Sequence, residues 1–543
     1  MADIDPRSAP RSETEVFLVA QLATCISFLS FFYYLHQSDL LLYGDAVAHI
    51  NIARRVFDSL TPGPLQLGTV WLPLPHVLMI PFILDHQMWQ SGVGGSLVSM
   101  AAYVFAVTGV FRLVRDARTF ADDKLDRGAA WLAAVIFAFN PNLIYVQTTA
   151  LTEPLYAALF IWALVYFSDF ARNTDSAPPS PARPALLKCG GCIFAASLTR
   201  YDGWFLAVAL SLTVLVMWLR SVKKHQRTIS PTRFLLLAAA GPLLWLAYNA
   251  IVYKNPLEFA NGPYSAAAIE RNSTATTHPG SQQPIEAFTF FLRAAELNVA
   301  QGNWGRLWVV AVLCGSGILL ARRAWALLLL LIPLPFYTLS VAYSGVPIYV
   351  PGWWPFSIYN IRYGLALLPS FAVFAAISVA FIASRIRRGN LRVAVWAAGV
   401  ALFPVSYAFV WHATPVCFRE AFINSRGRLA IEKVMVDNLK KLPPNATILM
   451  ALGEHAAAVQ AAGIPLRRVI HETNHRTWMK PNDPDGIWER ALRDPQAHAS
   501  YVIGTQDDPI DRLVDKRQLT SLIVIQALGE HTVTLYSTVP ASK

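Results

Sequence analysis

Asp45 and His49 stand four residues apart in the segment Tyr43–Arg55, a run compatible with a helix from Gly44 onward. That spacing stacks a carboxylate and an imidazole on one helical face, where they can share a proton or a metal ion. Asp45 also suits a helix cap, and a capping acid can still face a cleft. Downstream, Leu67–His76 combines two prolines with Trp71 and His76. Such a segment suits the headgroup level of a membrane, where Trp anchors. A second acid, Glu153, lies in Thr152-Glu153-Pro154, as either a helix-start acid or a carboxylate facing a wet cavity. Two cationic sites follow, Arg200-Tyr201-Asp202 and Arg362-Tyr363. Arginine forks match phosphate oxygens, although Arg200 could instead pair with Asp202. Arg54, on the first loop, joins Arg200, Asp202, Arg362, Tyr363, His76 and Trp71 as a candidate substrate-binding residue.

The elements that must hold these residues are membrane spans. Of 543 residues, 55% are hydrophobic and 15% charged, and the apolar residues fall in blocks. A soluble chain carries about 25% charged residues. Val16–Leu35, Leu97–Val114, Ala129–Val146, Ala150–Phe167, Phe205–Leu219, Phe234–Val252, Ala324–Val341, Tyr363–Ile382 and Val393–Trp411 each approach the roughly 20 residues that cross hydrocarbon. Ala185–Leu198 and Leu307–Leu320 are shorter, and counting them gives eleven spans. Leu72–Asp85 has three prolines and reads as interfacial or re-entrant. With the N-terminus cytoplasmic, the inner segments hold 21 of the 45 Lys and Arg residues and the outer loops eight, with 16 in the tail. This positive-inside bias accounts for the net charge of +11 better than nucleic-acid binding does.

The predicted fold class is therefore a polytopic α-helical membrane protein of about eleven transmembrane helices with a small C-terminal α/β domain outside. Residues 1–411 form the membrane domain, with loop 37–95 carrying the acidic motif, and 412–543 the external domain. In the latter, strands are expected at Ala446–Leu452, Ser500–Gly504 and Leu519–Leu528, the last two buried. A helix is expected through Glu454–Ala462, and His531–Thr538 would close a sheet edge. The inside receives short basic connectors, one of them Pro-rich at 177–184. Cys189-Gly-Gly-Cys192 reads as helix packing by small residues rather than a redox or zinc pair.

The order and sidedness of these motifs resemble the GT-C superfamily of membrane glycosyltransferases, which includes protein O-mannosyltransferases and lipid A aminoarabinose transferases. The likeness rests on Gly44-Asp45 opening the first external loop, the Pro-containing stretch Trp71–Pro81, and Thr152-Glu153-Pro154. It implies a multi-pass protein of a bacterial inner membrane that takes a sugar from a polyprenyl-phosphate-linked donor. The sugar would pass with inversion to a hydroxyl of an acceptor glycan, lipid or protein. Asp45 would be the general base, with Glu153 and His49 completing the acid cluster and Arg200 or Arg362 stabilising the leaving phosphate. The first motif has one acid where many relatives carry a pair. A divalent ion (Mg or Mn) therefore stays open, with Asp45, His49 and Glu153 as its ligands if one is used. A transporter or flippase of a lipid-linked sugar, or a membrane scaffold whose tail binds a partner, are the competing readings.

Overall fold

The computed structural model describes residues 8–120, 122–174, 182–223, 230–273, 277–474 and 485–538. The Pro-rich connector at 177–184 lies largely outside them. Among the described residues, nine helical segments are long and apolar enough to cross a membrane. Two expected spans are shorter. The run Ala129–Val146 splits into helices Asp123–Ala138 and Pro141–Val146, because Asn140 caps the second by accepting from the N–H groups of Asn142 and Leu143 (3.1 and 2.9 Å). The other, Ala182–Ser197, is a 16-residue helix packed among Glu153–Thr174, Asp202–Lys223 and Thr232–Val252. The last candidate span, Gly389–Leu439, combines two helices, Gly389–His412 and Val416–Leu439. Thr414 and Pro415 separate them, Thr414 with φ +65°.

Three short α-helices, Gly44–Arg55, Leu74–Ile83 and His86–Ser91, lie in the first loop, with a 3₁₀ turn at Pro64–Leu67 between the first two. Leu74–Ile83 has ten residues, too few to span.

The tail contains a five-stranded sheet: β1 (Ile448–Met450), β2 (Val469–Ile470), β3 (Tyr501–Thr505), β4 (Thr520–Ile525) and β5 (Val533–Ser537), in the order β2-β1-β3-β5-β4. β1 runs parallel to β2 and β3, and β5 antiparallel to β3 and β4. Two expectations are corrected here. β5 lies inside the sheet, and the edge strand beside it is β4, whose Leu522 and Val524 are exposed rather than buried. Trp488, Val502 and Ile510 fill a separate small core against Leu449 and Ile470.

The tail is tied to the first loop by buried polar groups. Asn51 Nδ2 donates to Gln460 Oε1, and Gln460 Nε2 donates to the Trp89 carbonyl, both at 2.7 Å. Trp89 Nε1 closes the ring by donating to Asn51 Oδ1 at 3.2 Å. Asp58 accepts from the N–H groups of Leu466 and Arg467. The helix that carries Asp45 is thus held from its far end by the tail.

Candidate active site

Three helices begin at the same polar cluster. Glu153 is the first residue of Glu153–Thr174, Asp202 the first of Asp202–Lys223, and Arg362 the second of the 3₁₀ helix Ile361–Leu367 that leads into Leu368–Ser384. Helix N-termini carry partial positive charge, which suits the two acids. Asp45 lies in the first turn of Gly44–Arg55; the residue before that helix is Tyr43, so Asp45 is not its cap.

Arg362 is the hub. Its Nε donates to Glu153 Oε1 at 3.1 Å, its Nη1 to Glu420 Oε1 at 3.1 Å, and its Nη2 to Asp45 Oδ2. Its guanidinium stacks between the rings of Tyr43 and Tyr363, at 4.9 and 5.1 Å. Arg200 pairs with Glu153 Oε1 at 3.1 Å and Asp202 Oδ1 at 3.3 Å, and donates to the Tyr337 hydroxyl at 3.2 Å. That hydroxyl donates in turn to Asp202 Oδ2 at 3.0 Å. Tyr363 also faces the Arg200 guanidinium at 5.3 Å, so one ring lies against both cations.

The carboxylates differ sharply in access. The Asp45 side chain is 39% exposed, against 10% for Glu153, 2% for Asp202 and 1% for Glu420. Asp45 is thus by far the most open of the four carboxylates, and Arg362 holds its Oδ2.

Of the predicted residues, the structure gathers Asp45, Glu153, Arg200, Asp202, Arg362 and Tyr363. His49 lies close enough to feel the charges of Asp45, Glu153, Arg200 and Arg362. Its hydrogen-bond partner, however, is His76, with Nδ1 and Nε2 2.9 Å apart, and Trp71 packs on its ring at 4.7 Å. Arg54 stands apart, paired with Asp58 at 2.9 Å and donating to the Ile83 carbonyl at 2.6 Å. Glu420 and Tyr337 were not anticipated. Glu420 sits in what reads as a tail, and Tyr337 in the middle of an apolar run, so neither has a local signal.

The acids are matched with guanidinium groups, and His49 with His76. Among the described residues no group of three His, Cys, Asp or Glu side chains is arranged so that it could hold a metal ion. The donor set Asp45, His49 and Glu153 does not fit a divalent ion in this arrangement.

No protein-family model matches the sequence, and no curated protein matches it. Solved structures do match. ArnT from Cupriavidus metallidurans bound to undecaprenyl phosphate aligns with a TM-score of 0.60, covering 97% of this chain and 98% of that one at 12% identity. The chain has an ArnT-like fold. The oligosaccharyltransferase of Archaeoglobus fulgidus in its apo form aligns at a TM-score of 0.52 and 13% identity, covering 97% of this chain and 74% of that one. At these identities the likeness is one of fold.

Proposed function

We propose that the protein is a glycosyltransferase that moves a sugar from a polyprenyl-phosphate donor to an acceptor hydroxyl, with inversion, on the extracytoplasmic side of a bacterial inner membrane. The observation that carries this reading is the unequal access of the clustered acids, which leaves Asp45 alone as a carboxylate available to a substrate. The acceptor oxygen attacks the anomeric carbon as the bond to phosphate oxygen breaks. The bonding pair leaves with polyprenyl phosphate, and Asp45 takes the hydroxyl proton. One displacement inverts the centre. Arg362 orients Asp45, and Arg200, the more exposed of the two guanidinium groups, faces the phosphate. The ArnT fold neighbour carries undecaprenyl phosphate, which supports a lipid-linked donor. So does an apolar cavity of about 510 Å³ whose lining includes Leu155, Leu159 and Trp162, on the helix that Glu153 begins, together with Phe82 and Phe105.

A flippase reading predicts charged groups deep in the bundle, whereas Glu153, Asp202 and Arg362 all stand at helix starts. Hexosyl and pentosyl donors are both compatible with the site.

Asp45→Asn tests the proposal. Asn keeps the size and the hydrogen bond to Arg362 but cannot take the proton at neutral pH. Transfer from a panel of undecaprenyl-phosphate hexoses and pentoses, with a membrane extract as acceptor, should fall by roughly 10²-fold or more, about 2.7 kcal/mol of barrier. Donor binding should stay near wild type. Unchanged turnover would remove Asp45 as the base.

A further inference from the structure

His49 and His76 form a buried pair to which the transfer step gives no role. Their facing nitrogens are 2.9 Å apart, so one proton lies between them, donated by one ring and accepted by the other. The far side of His76 decides the direction. Its Nδ1 is fully buried and meets no hydrogen-bond partner. A proton there would be an orphaned buried N–H, a rarity in folded proteins. The positive charge of Arg55 also acts on this ring and opposes its protonation. A lone pair at Nδ1 satisfies both conditions, and the proton then sits on His76 Nε2.

From there the assignment passes to His49. Its Nδ1 accepts from His76, which places its own proton on Nε2. Burial keeps both rings neutral. His49 is pushed down to about 4, chiefly by desolvation, with Arg200 and Arg362 pushing the same way and Asp45 and Glu153 opposing. His76 lies well below the usual histidine range, chiefly through burial, with the charge of Arg55 acting the same way. The Nε2 of His49 is not among the buried polar atoms that lack a partner, and its ring is covered on one side by Trp71.

We propose that His76 is a positioning residue that fixes His49 as the Nε2–H tautomer, making His49 a hydrogen-bond donor to an oxygen of the bound sugar phosphate, and not a base or metal ligand. The tautomer rests on the geometry of the buried pair together with the burial that keeps the rings neutral, and is independent of the activity; the identity of the oxygen rests on the transfer reading.

The two parts are tested separately. NMR of the full chain labelled with ¹⁵N-histidine, with the two rings assigned through His49→Gln and His76→Gln, reads the protonated nitrogen directly. Neutral rings with the proton on Nε2 in both are expected at pH 7. A proton on Nδ1 of His49, or an imidazolium, overturns the proposal whatever the activity. In the transfer assay, His49→Phe should lose on the order of 10²-fold in kcat, and His49→Gln, which keeps an N–H near the Nε2 position, should recover part of that loss. A loss in His49→Gln as deep as in Asp45→Asn would make His49 a proton acceptor and sink the donor role. His76→Gln preserves the donated hydrogen bond and should follow wild type. His76→Leu leaves Nδ1 of His49 without its donor, so in the NMR experiment the His49 ring should gain Nδ1–H tautomer at the expense of Nε2–H. A His49 ring that keeps its proton on Nε2 in this variant would reduce His76 to packing. If wild type transfers none of the panel sugars, the transfer reading fails while the NMR arm still decides the tautomer.

Discussion

Glu420→Gln is the substitution that most directly tests how the site is held. The Glu420 side chain is 1% exposed and accepts three hydrogen bonds: from the N–H of Asn360 at 2.8 Å, from the N–H of Ile361 at 3.0 Å, and from Arg362 Nη1 at 3.1 Å. Asn360 has φ +57°, a left-handed turn that Asn tolerates, and it is this turn that aims two successive N–H groups at one carboxylate. A glutamine can keep its carbonyl oxygen where Oε1 was, still accepting from Asn360 and Arg362. Its NH₂ then faces the Ile361 N–H, donor against donor. One buried unsatisfied N–H costs about 1–3 kcal/mol. Arg362 also loses one charged partner but keeps Asp45 and Glu153, so the full cost of about 3–5 kcal/mol for breaking a buried ion pair is not reached. A destabilisation of about 2–4 kcal/mol is expected, measured by unfolding in mixed micelles with increasing dodecyl sulfate. Turnover should fall as well, because Arg362 is what orients Asp45. A stability loss under about 1 kcal/mol together with wild-type turnover would show that Glu420 does not anchor the hub.

Two further outcomes are expected. Gln460→Leu should destabilise the protein by about 2–4 kcal/mol, since it strands the buried Asn51 amide and the Trp89 carbonyl; it should lower kcat more than it raises KM, and a change in neither would mean that the tail does not position the Asp45 helix. In a background with exposed Cys25 and Cys314 replaced, Leu528→Cys should react with an impermeant maleimide from outside and Asn390→Cys only after permeabilisation; the reverse pattern would invert the proposed topology and with it the extracytoplasmic site.

The spans and the first-loop acid are legible in the sequence because both signals are local. Lipid demands about 20 apolar residues in a row, and an acid beside a span stands out against them. What escaped is non-local or weak. The break at Asn140-Pro141-Asn142 is short, and the apolar residues on both sides of it make one run of about the length of a span. β2 has two residues, below the length at which alternation can be read. β4 carries apolar residues on an exposed face, so its pattern mimics a buried strand. Arg200 with Asp202 was readable from two-residue spacing, and the pairing is present. Glu420 joins Arg362 across 58 residues, and His76 joins His49 across 27, with nothing in either flanking sequence to announce the partner.

The charge in the cluster bears on how such a site could run the proposed transfer. Asp45, Glu153, Asp202 and Glu420 face Arg200 and Arg362, a formal charge of −2 if all are ionised. A glycosyl polyprenyl phosphate is a diester and brings one negative charge. Breaking its sugar–oxygen bond leaves a monoester carrying two. Accumulating that second charge beside a cluster already negative would raise the barrier, because Coulomb repulsion in a poorly hydrated site is far stronger than in water. In the proposed step the proton released by the attacking hydroxyl goes to Asp45 as the second phosphate charge forms. Asp45 becomes neutral while the phosphate becomes more negative, so the total charge in the site does not change. Loss of the carboxylate charge also loosens one of the three ion pairs on Arg362, freeing an Nη2–H that can join Arg200 in donating to the departing phosphate. The base and the leaving-group stabiliser are then coupled through one guanidinium, which is why the acid most exposed to substrate is also one that Arg362 holds.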